Sequence, residues 1–564
     1  MPLAVSLLFA TALFAQKPKE APTQVPMGGF AKSIDVTVTN LDVVVTDSKG
    51  KRVTGLKKED FEVIEDGLQQ LVTNFFAVDG GKLTFVGDEP VPTPAPAVAS
   101  VPAPVAVAPI PLPKTRIVIF VDNLHLTPFN RNRVLKNVQD WVRQSVGGDV
   151  EAMVVTFDRA LKVRRKFTND ARDVADVLRQ IEDISAMGLT QVSERKDLIQ
   201  SIDDAQSMSQ AEPRVRQYAL SMVNDLQFTF DAMKTTINQL AGVEGRKIML
   251  HVSEGLPQSP GAEMFQYLQD KFQQGGATLA SFEFDKTSGY IGIVQAANAA
   301  GVTLYTFDAS GLSVDSTMSA ENRTSAARIN NFLERNNLQS MLTLIAEETG
   351  GQAVLNRNDL TLSLNEVTQD FTSYYSLGYR SLRSGSDRPH KVDVKVKRKG
   401  LTARARRSYV EKSPETRVIE SVTSALYFAR DDNPLAVGIE VGQPVPADRQ
   451  NYLVPFKIRV PYSRITTYPE GTRVRGRLLF YFIVVDASGK ESDLATQAAP
   501  VELTARQFEA AQRGDFIYDV KMLMIPGSQK LSLAVRDEIT NTVSYLQKSI
   551  FVSALPPSEA PAKK

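Results

Sequence analysis

The chain of 564 residues contains no cysteine, one tryptophan and three histidines. Without cysteine it has no disulfides, no thiolate nucleophile and no cysteine-ligated metal or cluster. With histidine only at 125, 251 and 390, a three-histidine metal centre would need every imidazole in the chain. Charge of one sign is also missing. Lysine plus arginine (65) nearly balances aspartate plus glutamate (64), for a net charge of +1. Such a balance gives no global electrostatic case for nucleic acid or an anionic membrane surface. There is no G-x-S-x-G elbow and no H-E-x-x-H helix, so the common hydrolase and metalloprotease signatures are absent.

Long hydrophobic runs are scarce too. Leu3 to Ala15 has the length of a signal-peptide core and is too short to span a bilayer, which takes about 20 residues. Residues 1–15 are therefore read as a signal peptide, without the usual basic start, and 16–33 as a flexible leader. A buried N-terminal helix is the alternative. The expectation is an exported protein, periplasmic or extracellular, that is not an integral membrane protein.

The rest of the length allows about three or four domains of roughly 150 residues. From Ile34 apolar residues alternate (Ile34, Val36, Val38, then Leu41, Val43, Val45) and polar turns follow at Asp47–Lys51 and Glu65–Gly67. Residues 34–79 thus read as an N-terminal β module, short enough to need strands from elsewhere. Residues 80–114 form a proline- and alanine-rich linker, with nine prolines between Pro90 and Pro113.

The organising stretch is Thr115 to Thr127. Ile117–Val121 is an unbroken apolar, β-branched run of the kind buried on both faces of a parallel sheet. Thr127-Pro128 then reads as an N-cap followed by proline at the first helical position. Val134, Leu135, Val138, Trp141 and Val142 continue at helical spacing. Further strands are expected at Ala152–Phe157, Lys247–Val252 and Val302–Phe307. Helices are expected at 130–145, 170–184, about 212–241, 290–300 and 331–348. Alternating strands and helices argue a doubly wound, mostly parallel α/β sheet over 115–372.

Beyond it, residues 373–412 alternate again, as in Lys391–Lys397, and are expected to complete the N-terminal β module. The basic run to Arg407 reads as a solvated strand face, with an anionic partner as the alternative. Residues 413–555 form a C-terminal β-sandwich with strands at Tyr452–Val460, Arg475–Val485, Phe516–Met524 and Lys530–Val535, and 556–564 a disordered tail.

Each of the four central strands ends in an acid: Asp122, Asp158, Glu254 and Asp308. On one sheet edge, such carboxylates either hold a hard cation or accept backbone hydrogen bonds and lysine partners. His125 and His251 approach each other if their strands are neighbours, as a histidine–carboxylate pair or as packed strand-end side chains.

Several segments together resemble the bacterial VWFA-related exported proteins, whose centre is a von Willebrand factor type A domain. They are IVIFVDNLHLTP at 117–128, VVTFDRAL at 154–161, MGLTQ at 187–191, KIMLHVSEGLP at 247–257 and VTLYTFDASGL at 302–312. VVVTDSKGKRVTGLKKEDFEVIEDG at 43–67 and YYSLGYRS at 374–381 add to them. The resemblance implies a six-stranded sheet wrapped by helices, with a metal-ion-dependent adhesion site at its top. The family pattern there is D-x-S-x-S, a threonine and an aspartate. Asp122, Thr190 and Glu254 take the first, fourth and fifth places, but Leu124 and Leu126 stand where the serines belong. The implied cofactor is Mg²⁺ or Mn²⁺ on a degenerate site, or none.

The function expected is that of a non-enzymatic interaction protein, an adhesion or scaffold type presenting the top of a type A domain to a protein partner. Neither nucleic acid nor a small-molecule substrate is expected. A metal-dependent hydrolase using the carboxylate edge with His125 or His251 is the runner-up, and a purely architectural envelope component the third reading. The polar helical stretch 192–216 is a further candidate docking surface.

Overall fold

The computed structural model describes residues 38–84, 113–312, 325–381, 385–428, 430, 432–448 and 450–553. The signal-peptide, leader and tail assignments, and most of the linker, fall outside these residues. The described chain divides into a unit over Thr37–Glu411 and a unit over Lys412–Lys564.

The first unit begins with β1 (Val38–Asp47), β2 (Phe61–Glu65), β3 (Leu68–Gln70), β4 (Val72–Asp79) and β5 (Lys82–Thr84). The α/β region follows as β6 (Thr115–Asp122), α1 (Pro128–Ser145), β7 (Val150–Phe157), β8 (Leu161–Thr168), α2 (Ala171–Glu182), α3 (Gly188–Asp204) and α4 (Met208–Gln239). It continues through β9 (Arg246–Ser253), α5 (Ala262–Phe272), α6 (Ala277–Ser281), α7 (Thr287–Ala300), β10 (Val302–Asp308), α8 (Ser325–Glu348), β11 (Ala353–Val354) and α9 (Thr361–Thr372). The unit closes with β12 (Tyr374–Arg380), β13 (Pro389–Val396), β14 (Leu401–Arg404) and β15 (Ser408–Val410).

The α/β sheet has six strands in the order β11-β10-β9-β6-β7-β8. β6 pairs in parallel with both β7 and β9, β9 with β10 and β10 with β11, while β8 runs antiparallel at the edge. This is the doubly wound, mostly parallel sheet that the strand–helix rhythm implied. β6 is its middle. Ile117, Ile119 and Val121 bury one face against Val134, Leu135, Val138 and Trp141 of α1 in a single core, which is why the strand is apolar without alternation. Each fully buried side chain of this kind contributes about 1.5–3 kcal/mol.

Two antiparallel sheets flank it in the same unit, ordered β14-β1-β12-β4-β5 and β15-β13-β2-β3. Strands from before and after the α/β domain alternate within them: β1 pairs with β12, and β2 with β13. Leu41, Val43, Phe61, Val63, Tyr375, Leu377 and Val392 share the core between the two sheets. The α/β domain is thus inserted into a β-sandwich. In β13 the valines turn inward and Lys391 and Lys395 outward. The reading of the whole basic run as solvated fails further on. Arg404 turns inward to an ion pair with Asp370, whose carboxylate is fully buried.

The second unit contains α10 (Pro414–Ser424), β16 (Gly438–Val441), β17 (Val445–Pro446), β18 (Tyr452–Pro461), β19 (Tyr468–Glu470), β20 (Arg473–Asp486) and β21 (Ala495–Thr504). α11 (Ala505–Ala511), β22 (Asp515–Met524), β23 (Gly527–Asp537) and β24 (Val543–Val552) complete it. β16, β18, β17 and β22 make one sheet, and β19, β20, β23, β24 and β21 the other. Val454, Phe456 and Ile458 of the first pack with Leu478, Phe480 and Leu533 of the second. Its Asp486 turn repeats the Asp47 turn. In both, one carboxylate oxygen accepts from backbone N–H groups two and four residues on, an Asx-type turn.

Asp370 on α9 ties the sandwich to the α/β domain. Its carboxylate pairs with Arg52 and Arg404 from the β-sandwich and accepts the Tyr305 hydroxyl of β10 at 2.6 Å. Removing the charge strands two mostly buried guanidinium groups at the seam. Asp370→Asn is expected to destabilise the first unit by about 3–5 kcal/mol. Urea unfolding of the full chain measures this, and a loss below about 1 kcal/mol would show the carboxylate to be dispensable.

Candidate functional site

The four strand-end acids share the carboxyl edge of the sheet, where ligands sit in open α/β folds, but each has its own partner. Asp158 bonds Lys162 Nζ at 3.1 Å. Asp308 Oδ1 accepts the Ser310 amide and hydroxyl, and its Oδ2 accepts from Gln339 at 2.6 Å. Glu254 Oε1 accepts the backbone N–H and hydroxyl of Thr127 at 2.6 and 2.5 Å. Thr127 is the N-cap of α1, so the glutamate supplies the negative charge that a helix N-terminus favours.

Asp122 differs from these three. It is fully buried; its Oδ2 lies 2.8 Å from His125 Nδ1 and 3.8 Å from His251 Nε2. The parallel register of β6 and β9 places His251 opposite Phe120, two residues before Asp122, which brings the two imidazoles to one carboxylate. Burial raises the Asp122 pKa, but His125 and then His251 outweigh it and hold the carboxyl well below its usual range. For His125, burial acts to lower the pKa; the Asp122 carboxylate, with Asp225 further off, outweighs it and raises the pKa above its usual value. Asp122 Oδ1 and both ring nitrogens of His251 are buried without a hydrogen-bond partner among the described residues.

The loop after Asp122 explains the missing serines. Leu124 and Leu126 are 1% and 0% exposed, and Leu126 joins the main α/β core. Asn123 accepts from Arg131 Nη1 at 2.8 Å, and the fully buried Arg131 also donates to the carbonyls of Glu182 and Ile184. This arginine pins the loop before α3 against the loop after β6. The amide of Met187 bonds Asn123 O at 2.9 Å, and that of Gly188 bonds Leu126 O at 3.0 Å. A Cβ on Gly188 would fall 2.6 Å from the Leu126 carbonyl, so the close approach requires glycine there.

Of the three residues expected to ligate a metal, Asp122 is fully buried with Oδ2 bonded to His125 and Oδ1 unpartnered, and Glu254 is engaged as a helix cap. Thr190 is exposed in the first turn of α3. Buried leucines supply no oxygen to Mg²⁺ and hold no water for it, so this donor set does not fit the ion. A different group has the composition of a metal site. Glu65, Asp66 and His390 have ligating atoms within 4.8 Å of one another. His390 Nδ1 lies 2.9 Å from Asp66 Oδ2 and 3.7 Å from Glu65 Oε1. The sequence showed Glu65-Asp66-Gly67 only as a turn, because His390 reaches it from 324 residues away.

Around the buried carboxylate the same edge exposes large apolar side chains. Phe129 at the start of α1 is 77% exposed, Leu189 and Val192 at the start of α3 are 54% and 56% exposed, and Leu312 after β10 is 60% exposed. Arg133 lies over the Phe129 ring, 5.9 Å from its centre, and donates to Ala309 O, joining the α1 and β10 corners of this rim.

The sheet order, its single antiparallel edge strand and its flanking helices define an α/β domain of von Willebrand factor type A architecture, set among β modules. No protein-family profile matches the chain and no curated protein matches it in sequence. Solved structures with similarity include an aerotolerance-related membrane protein from Bacteroides fragilis, at 12% identity over 45% of this chain and 98% of that one, with a TM-score of 0.23. The PilB minor pilin of Streptococcus sanguinis matches at 10% identity over 60% and 89%, TM-score 0.27. Three N-terminal domains of the type V pili tip protein Mfa5 from Porphyromonas gingivalis match at 9% over 92% and 78%, TM-score 0.24. At such scores the fold assignment rests on strand order, not on these superpositions. Among the described residues no helix is long and apolar enough to cross a membrane.

Two outcomes follow. Leu126→Ser, which restores a motif serine, buries a hydroxyl and empties core volume; a loss of about 2–5 kcal/mol in urea unfolding is expected, and a neutral result would remove the leucine from the core. Because the His125 pKa is raised on folding, its contribution is complete below its ordinary pKa of 6.5 and fades as pH rises through the folded value. Asp122, with a lowered pKa, contributes throughout that range. Thermal melts from about pH 6 to about pH 9 should show Tm falling with rising pH, and His125→Gln should flatten the profile. Parallel profiles would mean that His125 is not charged in the fold.

Proposed function

We propose that this chain is an exported, non-enzymatic protein-binding module that presents the carboxyl edge of its type A domain to a protein partner. The observation that carries the reading is the rim of Phe129, Leu189, Val192 and Leu312 around the buried Asp122 carboxylate, already bonded to His125. Exposed aromatic and aliphatic side chains fixed on helix starts are the composition of a protein contact, with Phe129 and Arg133 as its anchor pair. Binding through such a rim needs no metal, so Mg²⁺ or Mn²⁺ at Asp122, Thr190 and Glu254 is not part of the proposal. The hydrolase reading has a real histidine–carboxylate contact in its favour. Against it, Asp122 and His251 are fully buried and His125 is 9% exposed, which leaves a substrate no approach to the pair. Export is supported by the apolar stretch Leu3–Ala15, which has the length of a signal-peptide core.

The test is affinity capture from an envelope extract of the source cells, using the full chain, Phe129→Asp with Leu189→Asp, and a chain lacking residues 415–564. A specific partner held by the full chain in EDTA and lost by at least tenfold in the double variant is expected. Capture abolished by EDTA would reinstate a metal. Capture insensitive to the face variant but lost with residues 415–564 would move recognition to the C-terminal β unit.

A further inference from the structure

At the opposite, amino-terminal edge of the parallel sheet, the α/β domain meets β1 and β12 of the sandwich around a cavity of about 330 Å³. Its lining includes Asp42, Arg246, Lys247, Tyr374, Arg404 and Arg406. Four cations therefore face one carboxylate. Arg404 pairs with Asp370, which Arg52 shares, and the Asp42 side chain is 40% exposed, with its Oδ2 3.7 Å from Arg246 Nε. The cavity keeps an excess of positive charge.

Arg246 is the sharpest feature. It opens β9, its side chain is 8% exposed, and its guanidinium lies over the Tyr374 ring, 4.2 Å from the centre. Stacking holds the group flat, but Nε and Nη1 have no hydrogen-bond partner among the described residues. A buried donor left unmade costs free energy, and more when it carries charge. On the other side, Arg406 Nη2 donates to Asn40 O at 2.7 Å, while Lys247 Nζ donates to Val243 O at 2.8 Å. A Cβ on Gly301 would lie 3.6 Å from Arg406 Nη1 and 4.0 Å from Lys247 Nζ. Gly301, at φ +67°, thus leaves the space between these two cations unfilled.

We propose that this cavity binds a phosphate-type oxyanion, either free phosphate or the monoester of a small molecule. Arg246 and Arg406 bring two guanidinium groups, the side chain most suited to phosphate, to the lining of one cavity. Arg406 and Lys247 add charge, and Phe76 and Tyr374 of the lining give an ester's organic group apolar contact. The volume lies at the small end of the range for small-molecule sites. The site is independent of the carboxyl-edge rim, so either can stand without the other.

The experiment is isothermal titration of inorganic phosphate and of glycerol 3-phosphate into the full chain at fixed ionic strength, repeated with Arg246→Gln and Arg406→Gln. Expected are one-site heats in the wild type, weakened about tenfold or more in each variant, and a Tm raised by the tighter probe but not by equal ionic strength of chloride. Tighter binding of the ester identifies a phosphorylated small molecule; tighter binding of inorganic phosphate identifies the free ion. Absence of saturable heat from both probes, or wild-type affinity in both folded variants, overturns the assignment. If Arg246→Gln does not fold, Arg406→Gln and the wild-type Tm shift decide.

Discussion

The arrangement of the first unit depends on one buried charge. Asp370 brings a carboxylate to zero exposure at the seam where the α/β domain leaves and re-enters the sandwich, and its ligands come from both sides. A charge so placed tolerates only arrangements that keep Arg52, Arg404 and Tyr305 within reach, since an unpaired ion there is costly. A hydrophobic seam of equal area would be satisfied by many relative positions. The ionic one fixes the position and so fixes the geometry of the neighbouring cavity, which shares Arg404. Burial and the Asp370 carboxylate act in opposite directions on the Arg404 guanidinium, and the net effect, together with the neighbouring Tyr305, is a raised pKa.

At the carboxyl edge the same physics runs the other way. Four acids arrive there because four parallel strands end there, and like charges at one edge repel unless each is compensated. The chain compensates them separately, with a lysine, a helix N-terminus, a serine–glutamine pair and two histidines. The last solution replaces the role that a divalent cation plays in the pattern the sequence resembles. His125, 2.8 Å from the carboxylate, supplies positive charge that depends on pH, where a metal would supply charge that depends on ion supply. The leucines follow from this. Once no cation needs hydroxyl ligands, Leu124 and Leu126 are better spent filling the core.

Legibility from sequence tracked how local each cause was. β6 could be read because a strand buried on both faces must be apolar throughout, and α1 because Thr127-Pro128 and the 3.6-residue spacing are local signals. β8 (Leu161–Thr168) escaped because an exposed edge strand alternates with charge and carries no apolar signature; its lysines and arginines suit an edge. α5 and α6 escaped because they are short and follow glycines with left-handed backbones at 261 and 276. The strand-end acids were evident, but their partners were not. Glu254 finds Thr127 across 127 positions, and His390 finds Asp66 across 324. Arg404 and Arg406 looked like a solvated run because β13 before them alternates cleanly; the seam that buries Arg404 is a tertiary fact with no local trace.

The two edges of the parallel sheet are therefore chemically opposite. The carboxyl edge has each of its four acids engaged within the chain and an apolar rim left exposed, so its remaining capacity is for contact area. The amino-terminal edge has a cavity lined by cationic side chains, of which Arg246 keeps unmet donors, so its remaining capacity is for an anion. Helix and strand polarity do not impose this division; in most open α/β sheets the carboxyl edge carries the ligand chemistry. Here it arises from two choices of residue, leucine for the loop after β6 and arginine at the first position of β9. The sandwich that closes over the second edge comes from strands both before and after the α/β domain, so the cationic cavity exists only when the chain has completed its return through β12 to β14. The rim at the first edge is carried by the α/β domain itself.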